Sequence, residues 1–255
     1  MNRPTPWILL RGLTREQGHW GCFPERLQAA QAGCAVHCID LPGNGVLNHV
    51  ASPTRVEVMV DAARAELMRQ GIAPPYRIVA MSLGAMLTVC WAHAHPLEIE
   101  RAVLINTSLR PFSPFWQRLR PRNYAALLRL AVFGGSAAAW ERTIFRATTR
   151  CVSDETACIN EWIATRQARP VSRRNALCQL LAAMRYRAPL APPRVPLLIL
   201  SGARDALVDP RCSAQLAARW GAPLVTHPAA GHDLPRDDGD WVIAQIRRWQ
   251  SPQPV

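Results

Sequence analysis

Short apolar runs alternate with longer amphipathic segments along the chain. The runs are rich in valine, isoleucine and leucine and end at glycine, proline or polar residues, which is typical of buried strands. They comprise a run that begins at Trp7 and is broken at Gly12, and then residues 35–40, 76–81, 99–106, 195–200 and 224–227. Strands that alternate with helices predict an α/β fold with a mostly parallel sheet of about six strands, flanked by helices.

The segments between these runs carry apolar residues at helical spacing. The predicted helices of this part of the chain are residues 20–32, 54–70, 83–95, 211–220 and 241–249. In the second of them we expect Thr54 as the N-cap, Glu57 as its partner in a capping box, and Gly71 as the end of the helix. Asp40 follows the second strand, and we expect it to serve the turn there rather than catalysis.

The pattern changes after residue 110, where strands vanish and helical segments follow one another. Among these segments are residues 123–133, 137–149 and 154–169. The strand pattern resumes after Pro192 and Pro193. We therefore predict a core of residues 1–110 and 190–255, interrupted by a helical insertion of residues 111–189.

The run 76–81 leads directly into Ser82 and then into a helix. Ala80 and Gly84, two positions on either side of the serine, are small. A nucleophile elbow needs small residues there, because the strand and the helix approach each other closely around a strained turn. The usual pattern is Gly-x-Ser-x-Gly, and this chain carries alanine at its first position. Ser82 is the predicted nucleophile.

A serine hydroxyl needs a base within hydrogen-bond reach and an acid that orients the base. Asp205 and His232 each lie beyond the end of a predicted strand, as Ser82 does. The C-terminal ends of parallel strands meet at one edge of the sheet, where sites form. The sequence therefore predicts a catalytic triad of Ser82, Asp205 and His232, in a chain order known for such triads.

Five other residues are alternatives to these assignments. His93 and His95 lie at the end of the helix after Ser82, where we expect a core or surface role. Asp209 is the alternative acid, but Asp209-Pro210 is typical of a turn that starts a helix. His227 belongs to the last strand itself, and Asp233 is expected to cap or turn the loop after it. Acyl transfer also needs N–H donors for an oxyanion. We expect those of Leu83, directly after the nucleophile, and Leu13, after the first strand.

The composition, 49% hydrophobic and 19% charged, is that of a soluble globular protein. No apolar run approaches the roughly 18 residues that span a bilayer. The apolar segment near the N-terminus is also too brief for a signal peptide. We therefore expect a cytoplasmic protein without a membrane span.

The net charge is +12, and all 30 basic residues are arginine. Residues 110–187 hold 14 arginines against four acids, so a charge of +10 lies in and beside the insertion. No nucleic-acid-binding signature accompanies the arginines, and we expect no nucleic-acid partner. The eight cysteines are expected to be free thiols. Cys34, His37 and Cys38 suggest zinc, but neighbouring residues of a strand point to opposite faces, so we predict no metal.

The motifs around Ser82, Asp205 and His232, together with Leu10-Arg11-Gly12-Leu13, resemble the α/β-hydrolase superfamily. The resemblance covers nearly the whole chain and is greatest to the compact carboxylesterases related to the pimeloyl-carrier-protein methyl esterase. It implies that the insertion is a cap over the active site, and that a serine mechanism operates without a cofactor.

Two features depart from the pattern of that family. The family usually has His-Gly in the oxyanion loop, whereas this chain has Arg11-Gly12. Arg11 is expected either to orient the loop or to bind a carboxylate of the substrate. The chain also begins at the first parallel strand, so we expect the N-terminal antiparallel pair of the family to be absent.

The predicted activity is the hydrolysis of a small-molecule carboxylic ester through an acyl-enzyme on Ser82. The charge of the insertion further suggests a substrate that is anionic or bound to an acidic carrier protein. Transfer of the acyl group to an acceptor other than water remains open, as do lactone opening and carbon–carbon bond hydrolysis. The alternative from another class is a hydrolase-fold protein that binds a ligand without catalysis.

Overall fold

The computed structural model describes residues 4–31 and 33–251. Its sheet has six strands in the order β2-β1-β3-β4-β5-β6, and every neighbouring pair is parallel. The prediction of an α/β fold with about six mostly parallel strands is therefore confirmed. The strands are β1 (Trp7–Leu10), β2 (Val36–Ile39), β3 (Tyr76–Met81), β4 (Ile99–Ile105), β5 (Leu197–Gly202) and β6 (Leu224–His227).

Helices follow or separate the strands, and none in the described ranges is long and apolar enough to cross a bilayer. Short 3₁₀ turns lie at Gln17–Trp20, Gly45–Leu47, Pro96–Glu98 and Pro121–Asn123. The α-helices are α1 (Phe23–Ala30), α2 (Val56–Arg69), α3 (Leu83–Ala94), α4 (Phe115–Arg118), α5 (Tyr124–Phe133), α6 (Ala137–Thr148), α7 (Glu155–Ala168), α8 (Arg173–Arg185), α9 (Arg211–Trp220) and α10 (Leu234–Gln250).

Both faces of the sheet are covered, which explains the unbroken apolar runs of its strands. Successive residues of a strand point to opposite faces. Ile78 thus packs with α2, α3 and α9 on one face, and Val79 packs with α1 and α10 on the other. Each face forms its own buried cluster.

Strand β1 lies between β2 and β3, so the chain winds outward in both directions from β1. Such a switch point leaves a crevice beyond the C-terminal ends of the two strands on either side of it. The loop after β1 begins at Arg11, and Ser82 directly follows β3. The topology therefore places the predicted nucleophile and the predicted oxyanion loop at the same crevice.

Two helix starts differ from the prediction. The capping box at Thr54 is wrong, because α2 has Arg55 at its N-cap and Glu57 accepts a hydrogen bond from the Arg55 side chain instead. The predicted helix 20–32 is divided: Trp20 ends a 3₁₀ turn, and α1 covers Phe23–Ala30. Residue 32 lies outside the described residues.

Helix α10 also begins seven residues before its predicted start at residue 241. Pro235 stands in its first turn, where proline is tolerated, and Asp238 has non-helical φ and ψ at a kink. Both features interrupt the periodic pattern in the sequence. The sequence pattern gives no separate prediction for helix α8, although Ser172 caps it through a hydrogen bond from the Asn175 N–H.

Helices α4 to α8 form the helical insertion between β4 and β5. The two ends of the insertion meet, since the Ala188 N–H donates to the Arg110 carbonyl at 2.7 Å. The backbones of Arg110 and Arg187 form an isolated parallel β-bridge. The closure lies beside the segment 111–189, and the division into a core and an insertion stays a prediction. The closure lets the sheet continue from β4 to β5 as neighbours.

Gly84 provides a test of the packing at the start of α3. A Cβ atom there would lie 2.5 Å from the Leu10 carbonyl oxygen and 2.7 Å from that of Arg11, and backbone atoms yield less readily than the end of a flexible side chain. We expect Gly84→Ala to lower the free energy of unfolding by about 3 kcal/mol, measured by urea denaturation.

Gly71→Ala is the matched control. Gly71 has a φ of +69° and no atom within 4 Å of its would-be Cβ, so only backbone conformation opposes the substitution. That cost is about 1 kcal/mol. If Gly84→Ala lowered the free energy of unfolding no more than Gly71→Ala does, the close approach of α3 to the end of β1 would be contradicted.

Candidate active site

Ser82 occupies the strained turn between β3 and α3. Its φ of 51° and ψ of −113° lie outside the regions that non-glycine residues usually adopt. Its N–H donates to the Ile105 carbonyl at 3.1 Å, which holds it to the end of β4. Leu83 then begins α3, and the first N–H groups of a helix have no partner within it. The Leu83 N–H therefore lies beside the serine at a positive helix end.

The loop after β1 packs directly on Ser82. A Cβ atom on Gly12 would lie 3.2 Å from the Ser82 Cβ and 3.7 Å from its Oγ, so only glycine leaves the approach unobstructed. Leu13, whose N–H is the second predicted oxyanion donor, follows Gly12 and is partly buried against the core. The loop that contains Leu13 and the Leu83 N–H therefore both lie beside Ser82.

Asp205 and His232 meet beyond the ends of β5 and β6. The His232 Nδ1 lies 2.6 Å from the Asp205 Oδ2, and both residues are buried. A carboxylate only accepts, so Nδ1 carries the hydrogen and Nε2 is left to accept a proton. The other oxygen of Asp205 accepts the N–H groups of Leu207 and Val208 at 2.8 and 2.9 Å, which fixes the carboxylate.

The alternative acid and one of the alternative histidines have other partners in the structure. Asp209 hydrogen-bonds to Arg211 and starts α9, whereas Asp205 contacts the histidine. His227 accepts the N–H groups of Ala229 and Ala230 and so shapes the turn after β6. Among the described residues, no hydrogen bond joins Ser82 to His232, and catalytic hydrogen bonds are often long before substrate binds.

Asn106, which the sequence reasoning did not single out, holds the histidine loop in place. It directly follows β4, is buried, and has a φ of 47°. Its Nδ2 donates to the carbonyls of Gly231 and His232 at 3.0 and 2.7 Å, and its Oδ1 accepts the Gly202 N–H at 2.8 Å. The signal in the sequence was an asparagine directly after a buried strand, because asparagine is polar and tolerates a positive φ.

Asp237 is the second residue that the sequence reasoning missed. Its carboxylate accepts the N–H groups of Gly231, Arg150 and Cys151 at 2.6, 2.8 and 2.9 Å. It thereby joins the histidine loop to the segment between α6 and α7. Burial raises the pKa of the Asp237 carboxyl, and the three hydrogen bonds oppose that rise.

Arg11 forms a buried ion pair with Asp233, the residue after His232. Its two terminal nitrogens donate to the two carboxylate oxygens at 2.9 and 2.6 Å, and both side chains are 4% exposed. The guanidinium also stacks on Trp20, 4.7 Å from the ring centre, and contacts the sulfur of Met81. Burial raises the pKa of the Asp233 carboxyl, but the charge and hydrogen bonds of Arg11 outweigh it and hold that pKa below its usual value.

This pair bears on the two roles predicted for Arg11. Both terminal nitrogens are already engaged by Asp233, and the side chain is nearly inaccessible. The contacts thus support a role in orienting the loop more than one in binding a substrate carboxylate. Asp233 was expected to cap or turn its loop; it stands at the N-cap of α10 without a side-chain cap and pairs with Arg11 instead.

Because of this ion pair, we expect Arg11→Met to lower the stability of the protein by an amount that depends on pH. This substitution leaves Asp233 buried without its ion-pair partner, which raises the pKa of its carboxyl above the value in the unfolded chain. We expect a loss of about 3 to 5 kcal/mol in the free energy of unfolding at pH 7. The loss shrinks as the pH falls toward 4, because protonation removes the buried charge. Urea unfolding at several pH values measures it.

Two further variants act as controls. Adding Asp233→Leu to Arg11→Met removes the unpaired carboxylate and should restore most of the stability. Arg69→Met removes an exposed arginine from its pair with Glu66 on α2 and should change stability little. A pH-independent loss, or a double variant as unstable as Arg11→Met, would show that the pair does not act as described.

The chain is similar to known proteins in sequence and in structure. A curated relative, pimeloyl-acyl-carrier protein methyl ester esterase from Chromobacterium violaceum, is 33% identical over 92 residues, which are 36% of this chain and 34% of the relative. The match thus spans about a third of the length of that relative.

Solved structures match over nearly the whole chain and establish the fold. An esterase from Thermogutta terrifontis has a TM-score of 0.73 at 20% identity, covering 96% of this chain and 89% of the other. A hydrolase from Oleispira antarctica has a TM-score of 0.74 at 15% identity, covering 96% and 90%. Residues 7–245 match the alpha/beta hydrolase family, to which this chain therefore belongs.

Proposed function

We propose that this protein is a serine carboxylesterase with Ser82 as nucleophile, His232 as base and Asp205 as the acid that orients the base. The observation that carries the proposal is the buried 2.6 Å contact of His232 with Asp205, at the sheet edge where Ser82 occupies a strained elbow. Membership of a hydrolase family and the esterase relative support the same class of reaction.

The proposed reaction proceeds through an acyl-enzyme. His232 Nε2 takes the proton of the Ser82 hydroxyl as its oxygen attacks the ester carbonyl, and Asp205 stabilises the imidazolium. The N–H groups of Leu83 and Leu13 bind the oxyanion. His232 then gives the proton to the leaving alcohol. A water molecule, deprotonated by the same histidine, releases the acid and regenerates Ser82.

Labelling with a fluorophosphonate tests the nucleophile without knowledge of the substrate. We expect the wild type to be labelled on Ser82, and Ser82→Ala and His232→Ala to lose labelling. Hydrolysis of p-nitrophenyl butyrate should fall by about ten-thousand-fold or more in both variants. Mass spectrometry locates the label, and His49→Ala, at an exposed position, is the matched control.

The outcomes separate the proposal from its alternatives. An unlabelled wild type would favour a ligand-binding protein of this fold. Labelling with acyl transfer to an added alcohol in preference to water would favour a transferase. Ester hydrolysis that survives Ser82→Ala would overturn the assignment of the nucleophile.

The finer proposal concerns the substrate, which we infer to be an ester bound to an acidic carrier protein. Arg142 and Arg146 lie one turn apart on α6, both are exposed, and neither forms an ion pair with any described residue. Helix α6 ends at the site, because its Thr148 carbonyl accepts the Asp233 N–H at 2.8 Å. The relative from C. violaceum is named for a methyl ester on an acyl-carrier protein. We propose that the insertion is a cap whose arginines steer such a carrier.

Charge reversal tests this steering. With a methyl ester on an acidic acyl-carrier protein, we expect Arg142→Glu/Arg146→Glu to lower kcat/KM about tenfold at low salt. The difference should shrink at physiological salt, where exposed charges are screened over about 8 Å. Hydrolysis of neutral p-nitrophenyl butyrate should be unchanged.

Arg247→Glu/Arg248→Glu is the control, since it makes the same change of charge at exposed positions near the end of α10. It should leave kcat/KM for the carrier-bound ester within about twofold of wild type. An equal loss in both double variants would assign the effect to net charge. No loss in the α6 variant would remove the carrier proposal while leaving the esterase proposal intact.

A further inference from the structure

Gln179 of helix α8 reaches from the insertion to the loop that follows β1. It is fully buried, and its Oε1 accepts the Thr14 N–H at 2.8 Å. Its Nε2 donates to the Asn44 Oδ1 at 2.8 Å and to the Ser52 Oγ at 3.0 Å. The amide therefore joins the insertion to the loop after β1 and, at two points, to the connection between β2 and α2.

Thr14 is a residue whose conformation needs outside support. Its φ is 57°, an unfavourable value for a β-branched side chain. The turn is closed on one side by the Arg15 N–H, which donates to the Gly12 carbonyl at 3.2 Å. The other side of the turn is held by the hydrogen bond that the Thr14 N–H donates to Gln179, at the residue directly after Leu13. The Thr14 N–H belongs to the peptide plane that follows Leu13, and the Leu13 N–H belongs to the plane before it. The two planes share the Leu13 Cα, so a shift of Thr14 is passed through that atom to the Leu13 N–H.

We propose that Gln179 is a positioning residue, through which the seating of the insertion on the core sets the geometry of the oxyanion hole. The inference rests on the proposed function, because it assigns a role to the loop of Leu13 in that reaction. Gln179 touches no reacting atom. It acts by keeping the loop in the conformation that the developing oxyanion requires, and its loss should therefore affect kcat more than KM.

Asn175, one turn earlier on α8, separates this role from simple anchoring of the helix. It also is buried and binds the core: its Oδ1 accepts the Ser52 N–H, and its Nδ2 donates to the carbonyls of Asn48 and Val50. None of these partners belongs to the loop after β1. Loss of Asn175 should loosen α8 to a similar degree while the Thr14 N–H keeps its acceptor.

The experiment compares Gln179→Met with Asn175→Leu. Both substitutions replace an amide by an apolar side chain of similar size. For Gln179→Met we expect kcat with p-nitrophenyl butyrate and the rate of fluorophosphonate labelling to fall about tenfold, with KM within about threefold of wild type. The Thr14 amide should exchange its hydrogen about tenfold faster. Asn175→Leu should keep kcat, the labelling rate and the Thr14 protection close to wild type.

The possible results decide between distinct conclusions. Unchanged exchange at Thr14 in Gln179→Met, or an equal loss of kcat in Asn175→Leu, would overturn the positioning role. A wild type that fluorophosphonate does not label would overturn the proposed function and this inference with it. If circular dichroism shows that Gln179→Met does not fold, Gln179→Asn, which is too short to reach Thr14 in the same pose, replaces it with the same expectations.

Discussion

The close approach of helix α3 to the end of strand β1 is the constraint on which the site depends. A Cβ atom at Gly84 would lie 2.5 Å from the Leu10 carbonyl oxygen, so the helix begins directly against the neighbouring strand. Ser82 must then turn the chain within one residue and adopts a φ of 51°. The same contact brings Gly12 to within 3.2 Å of the serine side chain, measured from its would-be Cβ. Close packing here thus shapes both the turn at Ser82 and the predicted oxyanion loop.

The helical insertion is bound to three loops of the candidate site. Arg120 donates to the Asp205 carbonyl at 2.9 Å, and Thr148 accepts the Asp233 N–H at 2.8 Å. Gln179 accepts the Thr14 N–H at 2.8 Å. These contacts run mostly to backbone groups, so the insertion fixes where the loops lie without supplying the reacting side chains.

The arginine-rich composition of the chain serves two physical purposes. Buried arginines form ion pairs: Glu141, which is 1% exposed, accepts from Arg15 of the core and from Arg166 of α7. Burial lowers the pKa of Arg15, and the adjacent carboxylate opposes that effect. The exposed arginines of α6 lack such partners among the described residues. Part of the +12 charge therefore holds the insertion to the core, and part faces solvent.

The sequence by itself determined the strands, because strands buried on both faces read as continuous apolar runs, and it determined the elbow, because Ser82 and its small neighbours are local. It also placed Asp205 and His232 at strand ends. The N-cap residue of α2 and the first residue of α10 could not be predicted from the sequence, because turn contacts and a kink override the local preference there. Only the tertiary structure decided the support of the site. Arg11 and Asp233 are 222 residues apart and Thr14 and Gln179 are 165 apart, so no local pattern encodes pairs that exist only once the chain has folded.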